Sequence, residues 1–229
     1  MTYLQLYKAI LEGNLNSVKE IRSTDNSSLE ARITKNLDTA LHVAVAVGTE
    51  EANCIVEYLL GEMSTDQVAL KNKEGNTVLS IAAIVGNSQA AKMILNMNNH
   101  QYSNLTEVPN NSGRIPLIEA ARHGQKDMIE PLGTRNYLNN VAATDYDSAV
   151  PFINSLIIAG FYDVALELLQ NYPSLATMQS STGESVLSAI AGKPSAFPSG
   201  QRKLRWWQYL NVLRFPIIKT EDKRHERQC

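Results

Sequence analysis

Glycines return through this chain at a nearly fixed interval, each closing a segment of the same design. The segments LQLYKAILEGN, TALHVAVAVGT, TVLSIAAIVGN, IPLIEAARHGQ and PFINSLIIAGF set Gly13, Gly48, Gly86, Gly124 and Gly160 at spacings of 35, 38, 38 and 36 residues. Two apolar pairs follow the glycine, as in Ile55-Val56 with Leu59-Leu60, Ala90-Ala91 with Ile94-Leu95, and Val164-Ala165 with Leu168-Leu169. A sixth start, GESVLSAIAG, opens at Gly183 before Pro194 breaks it. A period of this length means that one supersecondary unit has been copied along the chain.

The physics of a unit follows from its residues. Thr39 stands where a hydroxyl can cap the free N–H groups of a helix beginning with Ala40-Leu41-His42. Small pairs such as Ala82-Ala83 and Ala120-Ala121 allow neighbouring helices to approach closely. The glycine ends the first helix, where a left-handed backbone is cheap for Gly alone. Apolar residues at i, i+1, i+4 and i+5 then make the buried face of a second, antiparallel helix. Polar runs such as Lys71-Asn72-Lys73-Glu74-Gly75-Asn76 carry turn residues and are expected to project as hairpins. One unit cannot bury its apolar faces alone, so the units must stack.

On NLDTALHVAVAVG, NKEGNTVLSIAAIVG and NNSGRIPLIEAARHG, the chain resembles the ankyrin repeat family, whose pattern is D-x-x-G-x-T-P-L-H-x-A-A-x-x-G. The resemblance covers about residues 1–193 and implies an all-α solenoid of five to six stacked helix pairs. The departures matter. Proline is kept only as Pro116 and Pro151 and the histidine only as His42, while Pro131 falls in the second helix of the fourth unit and is expected to shorten or kink it. Residues 133–150 read as an irregular join with a weak joint. The phrases LIIAGFYDVALELLQNYPSLA and GKPSAFPSG are similar to a plant ankyrin group related to accelerated-cell-death and salt-tolerance proteins. That resemblance implies stress or defence signalling at membranes and an array that precedes a C-terminal transmembrane domain. Such a domain is missing here, so two forms stay open: a free-standing cytoplasmic adaptor, or the cytosolic part of a protein at the plasma membrane.

Composition narrows the classes further. The net charge of −2 argues against a nucleic-acid binder relying on global charge. Two cysteines, Cys54 and Cys229, make no disulfide scaffold, and the N-terminus has no basic-then-apolar signal pattern. Residues 1–199 hold 13 basic and 20 acidic side chains, whereas residues 200–229 hold 8 and 3. In that tail Arg202, Lys203, Arg205 and Arg214 surround Leu204, Trp206, Trp207, Leu210 and Leu213. The tail (194–229) reads as a cap over the last unit or a linker, with an acidic membrane surface as the alternative.

No motif for chemistry appears. Gly192-Lys193 lacks the earlier glycine of a phosphate loop, and no G-x-G-x-x-G or G-x-S-x-G occurs. Cys54 beside Ile55-Val56 reads as a small packing residue, and His42 as a hydrogen-bonding tie between loops. A monomer with no catalytic residue, cofactor or metal is therefore expected, whose partner is a protein and not a nucleic acid. In stacked arrays the hairpin tips and first helices line an extended concave surface. The expected partner-binding positions are Val43 and Val47 in unit two, Lys73, Glu74, Asn76, Ile81 and Val85 in unit three, and Arg114, Glu119, Arg122 and His123 in unit four. Val43, Val47, Ile81 and Val85 are apolar where polar residues are tolerated, which suggests an exposed apolar strip bordered by Arg114, Glu119 and Arg122.

Overall fold

Helices alternate with short turns through a computed structural model that describes residues 3–96, 103–133 and 146–193. Among these residues run eleven α-helices: α1 Leu4–Leu11, α2 Leu15–Thr24, α3 Ala40–Val47, α4 Glu50–Glu62, α5 Thr65–Val68, α6 Val78–Val85, α7 Ser88–Asn96, α8 Pro116–Arg122, α9 Tyr146–Ala159, α10 Tyr162–Asn171 and α11 Val186–Ala191. One isolated antiparallel bridge, between Gln179 and Ser185, accompanies them. The all-α repeat solenoid read from the sequence is the fold.

The helices form two rows. Each of α1, α3, α6, α8, α9 and α11 packs on the next to make an inner row, while α2, α4 and α7 make an outer row behind it. Ala82, Ala83, Ala120 and Ala121 are fully buried where inner helices meet, so small side chains set the close approach. Leu41, Leu79 and Leu117 from the inner row meet Ile55, Leu59, Leu60 and Ile94 from the outer row in one continuous core. Gly86 ends α6 with φ of +79°, as the periodicity requires, and the chain reverses at once into α7. Thr49 caps α4 by accepting from Ala52 N at 3.2 Å, with Glu50 and Glu51 in the first turn favourable to the helix dipole.

Several local expectations change. Cys54 is exposed rather than packed, because Ala52, Asn53, Ile55, Val56, Leu59 and Leu60 fill the inward face of α4 and leave position 54 outside. The outer element of unit four shrinks to a 3₁₀ turn, Lys126–Met128, ahead of Pro131, as its proline predicts. Pro116 is the first residue of α8, where a missing N–H costs nothing, whereas Pro151 lies inside α9 and does not open it. Of the expected join, residues 146–150 are the first residues of α9, and 134–145 lie outside the described residues. So does the basic tail, residues 194–229. No helix among the described residues is long and apolar enough to cross a membrane.

Hairpins between the units share one construction, and glycine is needed at their tips. Gly75 has φ of +78°, and a β-carbon there would run into the backbone N of Asn111 in the next hairpin. The same register in the first hairpin holds Leu37, which adopts φ of +59° without a glycine's freedom. A left-handed non-glycine residue costs about 1–2 kcal/mol. Gly75→Ala is therefore expected to lower stability by about 1–3 kcal/mol, more than Gly113→Ala, whose equally left-handed backbone faces open space. Leu37→Gly should raise stability by up to about 1 kcal/mol. Urea midpoints for the three variants check both the sign and the order.

Candidate functional site

The hairpins are tied along the array by a buried polar ladder. In each, the residue three before the tip accepts backbone N–H groups across the turn: Asn72 Oδ1 from Glu74 N and Asn76 N at 3.0 Å each, and Asn110 Oδ1 from Ser112 N at 3.0 Å and Arg114 N at 3.1 Å. Thr34 Oγ1 does the same for Asn36 N and Asp38 N. Their free donors reach the preceding hairpin, Asn72 Nδ2 to Asp38 Oδ1 at 2.8 Å and Asn110 Nδ2 to Asn76 Oδ1 at 3.0 Å. His42 joins the second and third units. Because the Asn76 carbonyl can only accept, His42 Nε2 donates to it at 3.1 Å, and Nδ1 accepts from Thr39 Oγ1 at 2.8 Å. The structural tie expected of His42 is this bond.

A second set of ties joins the far ends of the inner helices. Asn87 Nδ2 donates to Val45 O at 3.1 Å, and Gln125 Nε2 donates to Ile84 O at 3.2 Å. Each residue follows a unit's glycine and satisfies an otherwise open carbonyl at the end of the preceding unit's inner helix.

Between α1, α3, α6 and the first hairpin lies a groove of about 330 Å³. Its apolar wall is Tyr7, Leu11, Val43, Ala46, Val47 and Ile81, and its polar rim is Thr34, Asn36, Asp38 and His42. Val47 and Ile81 are half-buried there, and Val85 is 41% exposed at the end of α6. Three expected contact positions are instead interior. Val43 is buried, closed over by α1 and Ile81, and belongs to the core. Asn76 is buried and spent on the ladder, its Nδ2 donating to Glu74 Oε2 at 3.2 Å. Glu119 is 2% exposed and takes Arg114 Nε at 2.6 Å and Asn110 Nδ2 at 2.7 Å.

The Arg114–Glu119 pair alters the role of Arg114, which is half-buried and serves the interior carboxylate. His123 is exposed, but its Nδ1 sits 2.9 Å from Glu119 O and 3.5 Å from Glu119 Oε2, so it borders the same cluster. Lys73, Glu74 and Arg122 remain exposed. The residue reasoning missed is Leu11, 50% exposed on the groove wall. Its signal was present, since Leu11 stands two residues before Gly13 as Ala46 does before Gly48. Among the described residues no group of three His, Cys, Asp or Glu side chains is placed to hold a metal ion.

A family model described as ankyrin repeats, in three copies, matches residues 6–106 and again 49–145, together more than half of the chain. No curated protein matches it. Among solved structures, one similar chain comes from the crystal structure of the yeast ribosomal protein Rps3 in complex with its chaperone Yar1. The identity is 24%, the TM-score 0.47, and the alignment covers 57% of this chain and 91% of that one.

Burial holds the His42 ring below its ordinary value of 6.5, with the Asn76 carbonyl opposing the shift. The folded state therefore takes up this proton at lower pH than the unfolded state. Its contribution to stability is full above about pH 6.5 and is lost as pH falls from there toward the folded value, at up to about 1.4 kcal/mol per pH unit. Urea unfolding measured from pH 8 to pH 5 should show that decline in the native chain. In His42→Gln the slope just below pH 6.5 should be flatter.

Proposed function

The chain belongs to the ankyrin repeat family, whose repeats are protein-interaction modules, and we propose that it is a non-enzymatic adaptor holding a protein partner on the inner-row face. The observation that carries this reading is the groove beside α3, with its apolar wall of Tyr7, Leu11, Val47 and Ile81 open to solvent on a rigid two-row scaffold. Such a surface exists before the partner arrives, so little ordering cost is incurred on binding. Val47 and Val85 are the apolar contacts and Arg122 the charged one in this reading, with Lys73, Glu74, Ile81 and His123 around them. A narrower reading follows from the phrases LIIAGFYDVALELLQNYPSLA and GKPSAFPSG. It makes the chain a cytoplasmic adaptor in stress or defence signalling, acting as a monomer. The alternative is the cytosolic arm of a protein at the plasma membrane.

Single substitutions test the face. Val85→Glu and Arg122→Glu lie at exposed positions outside the ladder, so each should leave the thermal midpoint within about 2 °C of the native chain. Each should weaken capture of partner proteins from cytosol about tenfold or more, the effect of roughly 1.4 kcal/mol. Arg114→Glu is the contrast, since it sets a carboxylate against buried Glu119 and should lower stability by about 3 kcal/mol. If both surface variants retain the native set of captured proteins at native levels, the partner does not sit on this face.

A further inference from the structure

We propose that a protein partner held in the groove beside α3 anchors there through an arginine, whose guanidinium pairs with Asp38 while its stem lies along the apolar wall. This inference rests on the adaptor reading of the groove and names the chemistry that the groove accepts. Asp38, Asn76 and Arg114 each precede the N-cap residue of an inner helix, α3, α6 and α8 respectively. The three therefore hold one register position in successive hairpins. Asn76 brings no charge to it. Arg114 brings one and has its counter-ion, since Nε lies 2.6 Å from Glu119 Oε1. Asp38 also brings a charge, but no ion pair to it occurs among the described residues.

The hydrogen bonds that Asp38 does accept come from neutral groups: Thr34 Oγ1 at 2.7 Å, Asn72 Nδ2 at 2.8 Å and Asn36 Nδ2 at 3.5 Å. A carboxylate offers about four lone-pair sites, so one place is left over. The cations nearest in sequence do not take it. Arg32 spends Nη1 on the carbonyls of Leu37 at 2.9 Å and Lys71 at 2.8 Å, and Lys35 is exposed. Burial holds the His42 ring below its ordinary value of 6.5 and so neutral at pH 7. Asp38 is thus a half-buried carboxylate with no counter-ion, on the polar rim of a groove whose wall includes Tyr7, Leu11, Val47 and Ile81. A neutral apolar side chain seated there would desolvate that charge without compensating it, and an acidic one would be repelled. A basic side chain satisfies both parts of the groove, its methylene stem covering the wall and its head reaching the carboxylate. Tyr7 selects between the two basic types, because a planar guanidinium stacks on an aromatic face and sheds water more readily than an ammonium.

A random dodecapeptide library displayed on phage is the probe. Selected on the full-length native chain, it should enrich peptides that share one arginine beside apolar residues. In the tightest of them, exchanging that arginine for citrulline, which keeps the shape and removes the charge, should weaken binding about tenfold or more. This exchange leaves the protein untouched, so its result does not depend on how a variant folds. Asp38→Asn, which is nearly isosteric, should weaken the arginine peptide by a similar factor and the citrulline peptide less than about threefold, since the two changes remove the same interaction. Enrichment without a shared arginine overturns the proposal, as does an arginine that citrulline replaces without loss, or one that binds Asp38→Asn as well as the native chain. Leu11→Lys, at an exposed place on the wall, separates that failure from failure of the adaptor reading. Peptides lacking the arginine that still lose binding in Leu11→Lys leave the groove as the docking site and remove only the anchor. Peptides that bind Leu11→Lys unchanged remove both.

Discussion

From the second to the fourth unit, the stack depends on neighbouring hairpins being held at one spacing by polar groups that are mostly buried. Asp38, Asn72, Asn76, Asn110 and Glu119 form a line of short bonds through successive units, and His42 adds a cross-link from the helix beneath. A buried amide left without partners costs about 1–3 kcal/mol, so each member is satisfied only when the next unit is in place. The ladder thereby makes the stack cooperative. It also fixes the offset at which α3 meets α6 and α6 meets α8, and hence which small residues face one another across each inner contact.

That offset explains the groove. With the units locked in register, the residue two before one glycine lies beside the residue five before the next, and an apolar pair at those positions becomes part of one surface. Leu11 with Val43, and Ala46 with Ile81, build the groove in the first three units. The fourth unit interrupts the pattern with Arg122 and Glu119 at the same two positions. Glu119 turns inward to Arg114 and Asn110, which leaves Arg122 and His123 as the exposed side chains there. An apolar surface thus gives way to a polar one along the row because one carboxylate joins the ladder.

The repeat, the helix pairs and the glycine turns were legible because each depends on a few residues at fixed spacing. The division of the face into exposed and interior positions was not. Val43 and Val47 look alike in a sequence, and only the approach of α1 and Ile81 buries the first while leaving the second half-open. Asn76 and Glu119 read as surface polar residues, since a ladder crossing 34 residues is invisible until the units are stacked. One signal was available for it. Thr34, Asn72, Asn110 and Ser180 each stand three residues before a hairpin tip, a recurrence of side chains that cap turns. Leu37 is the opposite case: nothing local suggests that an exposed leucine would hold φ of +59°, and it does so because the other hairpins set the shape it must match.

Once the ladder has claimed its members, the charge left over is uneven from one helix to the next. In the outer row α4 carries Glu50, Glu51, Glu57 and Glu62 and no basic residue, whereas α2 carries Lys19 and Arg22 with Glu20, and α7 carries Lys92. On the inner row and hairpin tips Lys8, Lys35, Lys73 and Arg122 are exposed, and none is in an ion pair among the described residues. The net charge of −2 for the whole chain averages over this unevenness and over the basic tail. At physiological salt, fields from opposite faces are screened within about 8 Å, so an approaching molecule meets the local face rather than the total. The face that carries the apolar groove presents Lys8, Lys35, Lys73 and Arg122 alongside the exposed Glu12 and Glu74, so its charge is mixed. The saturated groups hold the stack, and the unsaturated ones on the same repeats stay open to solvent.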